Sequence, residues 1–244
     1  MAINQAQTVD TILGGALTIV QPSGGYRFAI DSILLARFAR PGQRARVLEL
    51  GAGCGVVAVM LAALHHPREV VAVELQPRLA ALIAHNAALN GTVTVKALCG
   101  DVSRIIPGLI ANSFDYVVAN PPYRAARRGR ESPNAERRAA RGGGGATLPE
   151  FIAAAARYAN HGGKVAMVFT ASRTSELVTE MKQRSLEPKR IRFVHSRPGE
   201  VATMVLLEAR KGGGIEAIIE PPLFIYSSPG VYTDEARAML TSVE

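Results

Sequence analysis

From residue 46 onward, short apolar runs alternate with longer stretches of helical pattern. This alternation is typical of a parallel sheet whose two faces are both covered by helices. The predicted strands are 46–50, 70–74, 93–97, 114–119 and 164–169, and the predicted helices are 56–64, 77–90, 148–160 and 172–184. The sequence therefore predicts an α/β fold with a doubly wound, mostly parallel sheet.

The last two strand-like runs, 189–195 and 201–208, break this alternation. A short segment that contains Pro198 and Gly199 joins them, with no helical stretch between. Such a connection predicts an antiparallel pair at the end of the sheet. The expected sheet thus has seven strands and ends in an antiparallel hairpin, which resembles the Rossmann-like class I methyltransferase fold. A sheet that binds NAD would more often end in another strand–helix–strand unit.

The regions before and after this sheet are predicted to be appendages. The first contains a hairpin over 11–21 and then a helix that is capped near Asp31 or Ser32. The last contains one more strand-like run and a short helix around 234–240. The predicted segments are an N-terminal appendage, a core and a C-terminal tail that packs on the core, at residues 1–40, 41–211 and 212–244.

The composition of the 244 residues suits a folded domain, since 48% of them are hydrophobic. No apolar run reaches the roughly 18 residues of a membrane span, and the polar N-terminus lacks the features of a secretory signal. Cys54 and Cys99 have no partner pattern for zinc or a disulfide framework, so both are expected to be buried thiols of a cytoplasmic protein. Neither a membrane nor a metal is expected as a partner, and nothing in the sequence indicates an oligomeric state.

A glycine-rich loop, Glu-Leu-Gly-Ala-Gly-Cys-Gly at 49–55, separates the first strand from the first helix. Glycines at 51, 53 and 55 let the backbone turn sharply and approach a ligand without Cβ clashes. The dinucleotide fingerprint would need another glycine at position 56, where this chain has Val56. The loop therefore favours a nucleoside with an amino-acid tail over a pyrophosphate, and a tight structural turn is the alternative interpretation.

Two acidic residues lie at or just after the ends of the next two strands. Glu74 lies 23 residues after Gly51, where an acid can accept hydrogen bonds from both hydroxyls of a ribose. Asp101 follows the third strand, where its carboxylate can accept from the amine of an adenine. A helix cap is an equally open interpretation of Asp101.

The tetrapeptide Asn120-Pro121-Pro122-Tyr123 follows the fourth strand, so we expect it at the carboxyl edge of the sheet. The Asn120 side-chain oxygen and the Pro121 carbonyl can both accept from a planar NH₂, whose delocalised lone pair must be aligned on the methyl donor. The prolines fix φ and remove backbone donors. Tyr123 offers a face for stacking, worth about 1–3 kcal/mol. A proline-rich turn without this chemistry, as at 221–222, is the alternative.

Together these motifs predict methyl transfer from S-adenosylmethionine to a planar amine, with no metal. The predicted catalytic residues are Asn120, Pro121, Pro122 and Tyr123. The predicted cofactor-binding residues are Glu49, Gly51, Gly53, Gly55, Glu74, Leu75, Asp101, Val102 and Asn120.

The formal net charge of +8 is concentrated directly after the tetrapeptide. Residues 124–141 contribute +5, whereas 1–123 contribute +2 and 142–244 contribute +1. A concentrated basic excess predicts an anionic partner, and arginine suits bidentate contact with phosphate. A solvated loop kept basic for solubility is the alternative. The predicted RNA-binding residues are Arg124, Arg127, Arg128, Arg130, Arg137, Arg138 and Arg141.

The tetrapeptide on this framework resembles those of DNA and RNA adenine methyltransferases and of release-factor glutamine methyltransferases. Further segments resemble the bacterial tRNA(Val) (adenine-N6)-methyltransferase family, over most of residues 10–240. The resemblance implies methylation of the exocyclic amine of the adenosine beside the anticodon, with tRNA as the partner. One departure is Gly142 to Gly145, where the family would have a His-Glu pair. The segments that carry the resemblance are Gly25-Tyr26-Arg27-Phe28, Ile30-Asp31-Ser32, Ser132-Pro133-Asn134 and Phe193-Val194-His195.

Other functions stay open. A protein glutamine methyltransferase acting on release factors also has a planar NH₂ as its target, but such enzymes carry a helical N-terminal domain, and about 40 residues precede the core here. A DNA adenine enzyme would need a further base-reading segment. A module that binds a nucleoside without chemistry would make the tetrapeptide incidental.

Overall fold

The computed structural model describes residues 7–24, 27–123 and 146–242. The strands in these ranges are β1 (Gln7–Ile12), β2 (Leu17–Pro22), β3 (Arg46–Leu50), β4 (Glu69–Glu74), β5 (Val95–Cys99), β6 (Phe114–Ala119), β7 (Ala159–Thr170), β8 (Leu186–His195), β9 (Ala202–Lys211), β10 (Ile218–Ile219), β11 (Leu223–Phe224), β12 (Tyr226–Ser228) and β13 (Val231–Tyr232). The α-helices are α1 (Ile30–Phe38), α2 (Val56–His65), α3 (Pro77–Leu89), α4 (Leu148–Tyr158), α5 (Thr174–Lys182) and α6 (Asp234–Thr241).

One sheet of nine strands organises the described residues, in the order β10-β8-β9-β7-β6-β3-β4-β5, with β11 also paired to β8. The pairs from β7 through β6, β3 and β4 to β5 are all parallel. β9 lies antiparallel to both β7 and β8. The predicted α/β fold with a mostly parallel sheet and an antiparallel end is confirmed. The seven predicted strands are β3 to β9, and the two-residue strands β10 and β11 extend the edge in parallel with β8.

Helices cover both faces of the sheet, and neighbouring residues of β3 show it. Val47 packs in a hydrophobic cluster with residues of α1, α2 and α3, whereas Leu48 packs in a second cluster with residues of α4 and α5. Successive side chains of a strand point to opposite faces, so the two clusters lie on opposite sides of the sheet. Residues 56–62 of α2 are all buried, because α1 packs against this helix in addition to the sheet. The predicted double winding is therefore present.

The strands predicted at 46–50 and 114–119 have the expected bounds, but β5 begins two residues later than predicted. The backbone N–H and the hydroxyl of Thr92 both donate to the Ala87 carbonyl, at 2.9 and 3.1 Å. These bonds prolong the turn after α3, and Val93 is left 90% exposed. Val93 is apolar but therefore lies in this turn, and it does not begin the strand.

β7 begins at Ala159, where the sequence predicts the end of a helix. The chain enters the sheet early through a register shift opposite β6. Gly163 makes this possible, since a Cβ there would lie 2.9 Å from the Asn160 carbonyl oxygen and 3.1 Å from that of Phe114. Gly162 and Gly163, which follow the predicted helix in sequence, therefore belong to the strand.

The two cysteines differ in environment. Cys54 is buried, as expected, and burial raises the pKa of its thiol to about 12. Cys99 is exposed, contrary to expectation, because it closes the edge strand β5 and has no neighbouring strand on its outer side. Among the described residues, no helix is long and apolar enough to span a membrane. The same ranges contain no cluster of three or more His, Cys, Asp or Glu side chains placed to hold a metal ion.

A buried charge network crosses the sheet at Glu208 of β9, which is 2% exposed. Its carboxylate accepts a short hydrogen bond from the Tyr116 hydroxyl of β6. Lys164 of β7 and Arg190 of β8 each lie 3.3 Å from a Glu208 oxygen. The Arg190 guanidinium also lies over the Phe38 ring, 4.3 Å from its centroid, and bonds Glu220 at 2.8 Å. The network therefore ties the central strands to α1 and to the C-terminal tail.

Candidate active site

A cavity lies at the carboxyl edge of the parallel strands, where the loops after β3, β4, β5 and β6 meet. It encloses about 960 Å³ of free space, open solvent at its mouth included. Residues of α1, α3 and α4 and the segments before α1 and α4 complete its wall. The lining residues are Arg27, Ala29, Asp31, Gly51, Gly53, Glu74, Leu75, Gln76, Leu79, Asp101, Val102, Asn120, Pro121, Pro122, Tyr123, Ala146 and Phe151.

The glycine loop forms the floor of this cavity at Gly51 and Gly53, which have φ values of 71° and 57°. The backbone N–H groups of Gly51 and Ala52 both donate to the Val73 carbonyl at 2.9 Å, so the loop is fastened to β4. A Cβ at Gly51 would lie 2.9 Å from the Phe151 ring. Both the backbone conformation and the space therefore require glycine at this position.

The Glu74 carboxylate joins the loops after β3 and β4. One oxygen accepts from the Gly53 N–H and the other from the Gln76 N–H, each at 2.9 Å. The residue is 6% exposed, and burial raises the pKa of its carboxyl above the ordinary value while the backbone donors oppose this rise. A carboxylate has about four lone-pair positions, so two stay available for donors in the cavity.

Asp101 does not cap a helix, because turns and coil follow it over 102–110, and its contact with an adenine stays a prediction. It lines the cavity, and its Oδ1 also accepts from the Ser103 N–H at 2.9 Å and from the Ser103 hydroxyl at 2.7 Å. The hydrogen bonds from Ser103 lower the pKa of the Asp101 carboxyl, with Arg104 contributing to this shift. The carboxylate is therefore held as an acceptor at the cavity wall by its own turn.

Two of the predicted cofactor-binding residues, Glu49 and Gly55, do not line the cavity. Gly55 precedes α2 with a φ of 85°, and a Cβ there would lie 3.0 Å from the Ile83 side chain. Glu49 is 4% exposed, and its Oε2 has no hydrogen-bond partner in the part of the chain that the structure describes. Burial, with a smaller contribution from the charge of Glu74, raises the pKa of Glu49 to about 8.

The raised pKa makes stability depend on pH in a defined direction. The ordinary carboxyl pKa of 4.5 applies to the unfolded chain and about 8 to the folded one, so the folded state binds more protons between these values. Stability should therefore fall as pH rises through this window, by at most about 1.4 kcal/mol per pH unit. We expect Glu49→Gln to remove most of this dependence and to unfold at higher urea concentration than wild type near the upper end of the window. Parallel curves of unfolding free energy against pH for the two proteins would contradict the assignment.

The tetrapeptide at the end of β6 is fastened to two other elements. The Tyr123 hydroxyl donates to Asp31 Oδ2 of α1 at 2.6 Å, and the Asn120 Nδ2 donates to the Ser32 hydroxyl oxygen at 3.3 Å. Beyond β7, Arg173 donates to the Tyr123 carbonyl at 2.9 Å. The Tyr123 ring meets Phe169 edge to face, with ring centroids 5.9 Å apart. The four predicted catalytic residues all line the cavity, in a fixed orientation.

These partners of the tetrapeptide are site residues that the sequence did not predict. Asp31 and Ser32 stand in the sequence as cap candidates, but α1 begins earlier, at Ile30, and Ala29 is its N-cap. Their side chains are therefore in the first turn and face the tetrapeptide. The family resemblance of the segment Ile30-Asp31-Ser32 is the sequence feature that could have indicated this role. Phe169 and Arg173 had no signal beyond their position at the end of a parallel strand.

The predicted RNA-binding arginines, with Ser132 to Asn134 and Gly142 to Gly145, lie outside the described residues, as do Gly25 and Tyr26. The described residues nearest the basic segment, Tyr123 and Ala146, both line the cavity. Arg27 also lines it and pairs with Asp10 at 3.2 Å.

The fold, the glycine loop and the carboxylate at the end of β4 together define a class I methyltransferase that uses S-adenosylmethionine. Residues 29–187 match the family model described as "Methyltransferase small domain", and the chain belongs to this family. Across 209 residues, the chain is 32% identical to the tRNA1(Val) (adenine(37)-N6)-methyltransferase of Aeromonas hydrophila, with 84% of each chain covered.

The chain is also similar to a glutamine methyltransferase over a short stretch and to a solved methyltransferase structure in its fold. A release factor glutamine methyltransferase of Deinococcus radiodurans is 38% identical over 81 residues, which cover 33% of this chain and 27% of that protein. Among solved structures, a predicted O-methyltransferase from Agrobacterium tumefaciens superposes with a TM-score of 0.68 at 22% identity, covering 86% of this chain and 94% of that one. The similarity to the Agrobacterium tumefaciens protein shows a shared fold.

Proposed function

We propose that this enzyme transfers the methyl group of S-adenosylmethionine to the exocyclic amine of an adenine in RNA, the adenosine beside the anticodon of tRNA(Val). One observation carries the proposal: Asn120 and Tyr123 line the same cavity as Gly51, Gly53 and Glu74. A planar amine and a nucleoside cofactor can thus meet within one space. The relative from Aeromonas hydrophila, named for this reaction, is similar across most of its length.

The cavity residues fit S-adenosylmethionine. The glycine loop leaves room for the amino-acid tail close to the backbone, and Glu74 offers its remaining lone pairs to the ribose hydroxyls. Asp101 would accept from the adenine amine, and Leu75 and Val102 provide apolar wall. When bound, the cofactor supplies an electrophilic methyl group on a sulfonium.

Replacement of Glu74 by alanine tests this assignment. Two hydrogen bonds to a charged acceptor are worth about 1.5–3 kcal/mol each, so the dissociation constant for S-adenosylmethionine should rise by about 100-fold or more. Isothermal titration calorimetry measures it directly. Glu69→Ala, at the opposite end of the same strand, is the matched control and should bind as wild type does. Equal affinity of the Glu74→Ala variant and wild type would refute the ribose role.

The tetrapeptide orients the amine. Asn120 Oδ1 and the Pro121 carbonyl accept one N–H each, which fixes the plane of the NH₂ group and leaves its lone pair perpendicular to that plane. Tyr123 would stack on the flipped base. Orientation of this kind supplies much of the rate enhancement when the electrophile is already activated. The new N–C bond would form as the S–CH₃ bond of the sulfonium breaks and leaves a neutral thioether. The nitrogen would keep its proton until then and release it to solvent afterwards, so no strong base is required.

The basic segment supports RNA as the substrate. Tyr123, directly before it in sequence, and Ala146, five residues after Arg141, both line the cavity. Its seven arginines suit contact with phosphates around the target nucleotide.

A glutamine methyltransferase acting on release factors is the second candidate, because of the local similarity to such an enzyme. The two are separated by an assay with labelled S-adenosylmethionine and three acceptors: bulk tRNA, a release factor and duplex DNA. We expect label in tRNA alone. Label in the release factor, or faster labelling of DNA than of tRNA, would overturn the proposal.

A further inference from the structure

We propose that Asp31 is a positioning residue that sets the direction of the hydrogen bonds orienting both Asn120 and Tyr123. The proposal rests on the function proposed above. It assigns a role in the methyl transfer to the first turn of α1, which lies about 90 residues before the tetrapeptide in sequence.

The Asp31 carboxylate is the end point of two chains of hydrogen bonds. On one side, Oδ2 accepts from the Tyr123 hydroxyl at 2.6 Å. On the other side, Oδ1 accepts from the Ser32 N–H at 2.7 Å and from the Ser32 hydroxyl at 3.4 Å. The Ser32 hydroxyl oxygen in turn accepts from Asn120 Nδ2 at 3.3 Å. Asp31 is thus linked by hydrogen bonds to Tyr123 directly and to Asn120 through Ser32.

The chemistry of the carboxylate fixes the direction of the Asn120 chain. An ionised carboxylate only accepts, so the single proton of the Ser32 hydroxyl must be directed to Asp31. The hydroxyl oxygen then has only lone pairs to offer Asn120, and it selects the amide nitrogen over the amide oxygen. Asn120 Oδ1, on the other branch of the amide, is left to accept from the substrate amine. A flipped amide would set two acceptors against each other.

The hydrogen bond between Asp31 and Tyr123 helps to fix the plane of the Tyr123 ring. The hydroxyl is held by Asp31, the ring edge meets Phe169, and the carbonyl accepts from Arg173. A ring held at its tip, edge and backbone is ready to receive a planar base without loss of rotamer freedom on binding. Asp31 itself lines the cavity, and Ser32 is 1% exposed, so bulk water does not compete at the Asn120 chain.

Two conservative variants test the role by kinetics. Asp31→Asn keeps the shape but adds N–H donors and removes one acceptor, and Ser32→Ala removes the relay without filling space. For both we expect kcat on tRNA to fall by about 100-fold, with the dissociation constant for S-adenosylmethionine within about threefold of wild type. Adding Ser32→Ala to Asp31→Asn should cost little more, because Ser32 acts through Asp31. Asp234→Asn, in the first turn of α6, and Ser227→Ala, in β12, are the matched controls and should keep wild-type kcat.

A spectroscopic measurement tests the network without any substrate. The side-chain amide signals of Asn120 in a ¹H–¹⁵N spectrum, assigned with Asn120→Ala, should shift in both Asp31→Asn and Ser32→Ala. The Tyr123 ring signals, assigned with Tyr123→Phe, should shift in Asp31→Asn and stay in place in Ser32→Ala. Unshifted signals, or wild-type kcat in both variants, would overturn the positioning role. A wild-type enzyme that transfers no methyl to tRNA would instead refute the proposed function, whatever the spectra show.

Discussion

Replacement of Asn120 by alanine is expected to lower methyl transfer to tRNA by about 1000-fold or more, since it removes the side-chain acceptor that orients the amine. Binding of S-adenosylmethionine should change little, because we propose that Gly51, Gly53 and Glu74 make the main contacts with the cofactor. Single-turnover kinetics with labelled cofactor measures the chemical step, and calorimetry measures binding.

Variants of Tyr123 separate stacking from hydrogen bonding in the same assay. Tyr123→Ala should lose transfer to a similar extent as Asn120→Ala, whereas Tyr123→Phe keeps the ring and should retain more activity. Asn160→Ala is the matched control, because Asn160 lies at the start of β7 and bonds Asp115 away from the cavity. Wild-type transfer by Asn120→Ala, or loss of cofactor binding in both Asn120→Ala and Tyr123→Ala, would contradict the assigned roles.

The second large effect concerns stability. Glu208→Ala should lower the free energy of unfolding by about 2–4 kcal/mol, because it leaves the Tyr116 hydroxyl without its buried acceptor and Arg190 with Glu220 as its remaining carboxylate partner. Urea denaturation followed by circular dichroism measures the change. Removing one partner of a buried ion pair costs more stability than the intact pair contributes, because the partner that remains is still desolvated.

A more exposed ion pair provides the comparison for Glu208. Glu180 pairs with Arg184 one helical turn along the chain at 2.6 Å, and both side chains are partly exposed. Glu180→Ala should cost about 0.5 kcal/mol or less. If the two variants lost equal stability, the buried network would not have the structural role assigned to it.

The sequence predicted those features that depend on local pattern. Strands 46–50 and 114–119 are mostly apolar because both faces of the sheet are covered, and this run of apolar residues indicates their bounds. Gly51, Glu74, Asp101 and Asn120 each lie at or just after the carboxyl end of a parallel strand. Parallel strands present their carboxyl ends at one edge, so the meeting of these residues in one cavity was predictable.

Features that depend on contacts distant in sequence were not predictable. The Asp31–Tyr123 and Ser32–Asn120 hydrogen bonds require knowledge of how α1 packs against the sheet. The glycine-loop motif predicts that Glu49 contacts the ligand. Glu49 instead lies within β3, where its carboxyl is buried. The short strands β10 and β11 have too few residues for a periodic pattern, and pairing with β8 alone defines them.

Mass spectrometry of nucleosides and oligonucleotides from unmodified tRNA1(Val), after incubation with the enzyme and labelled S-adenosylmethionine, tests the proposed reaction most directly. We expect one labelled product, N6-methyladenosine, at the adenosine beside the anticodon, and none with the Asn120→Ala variant. Label on another nucleotide, or unlabelled tRNA alongside a labelled glutamine in a release factor, would contradict it.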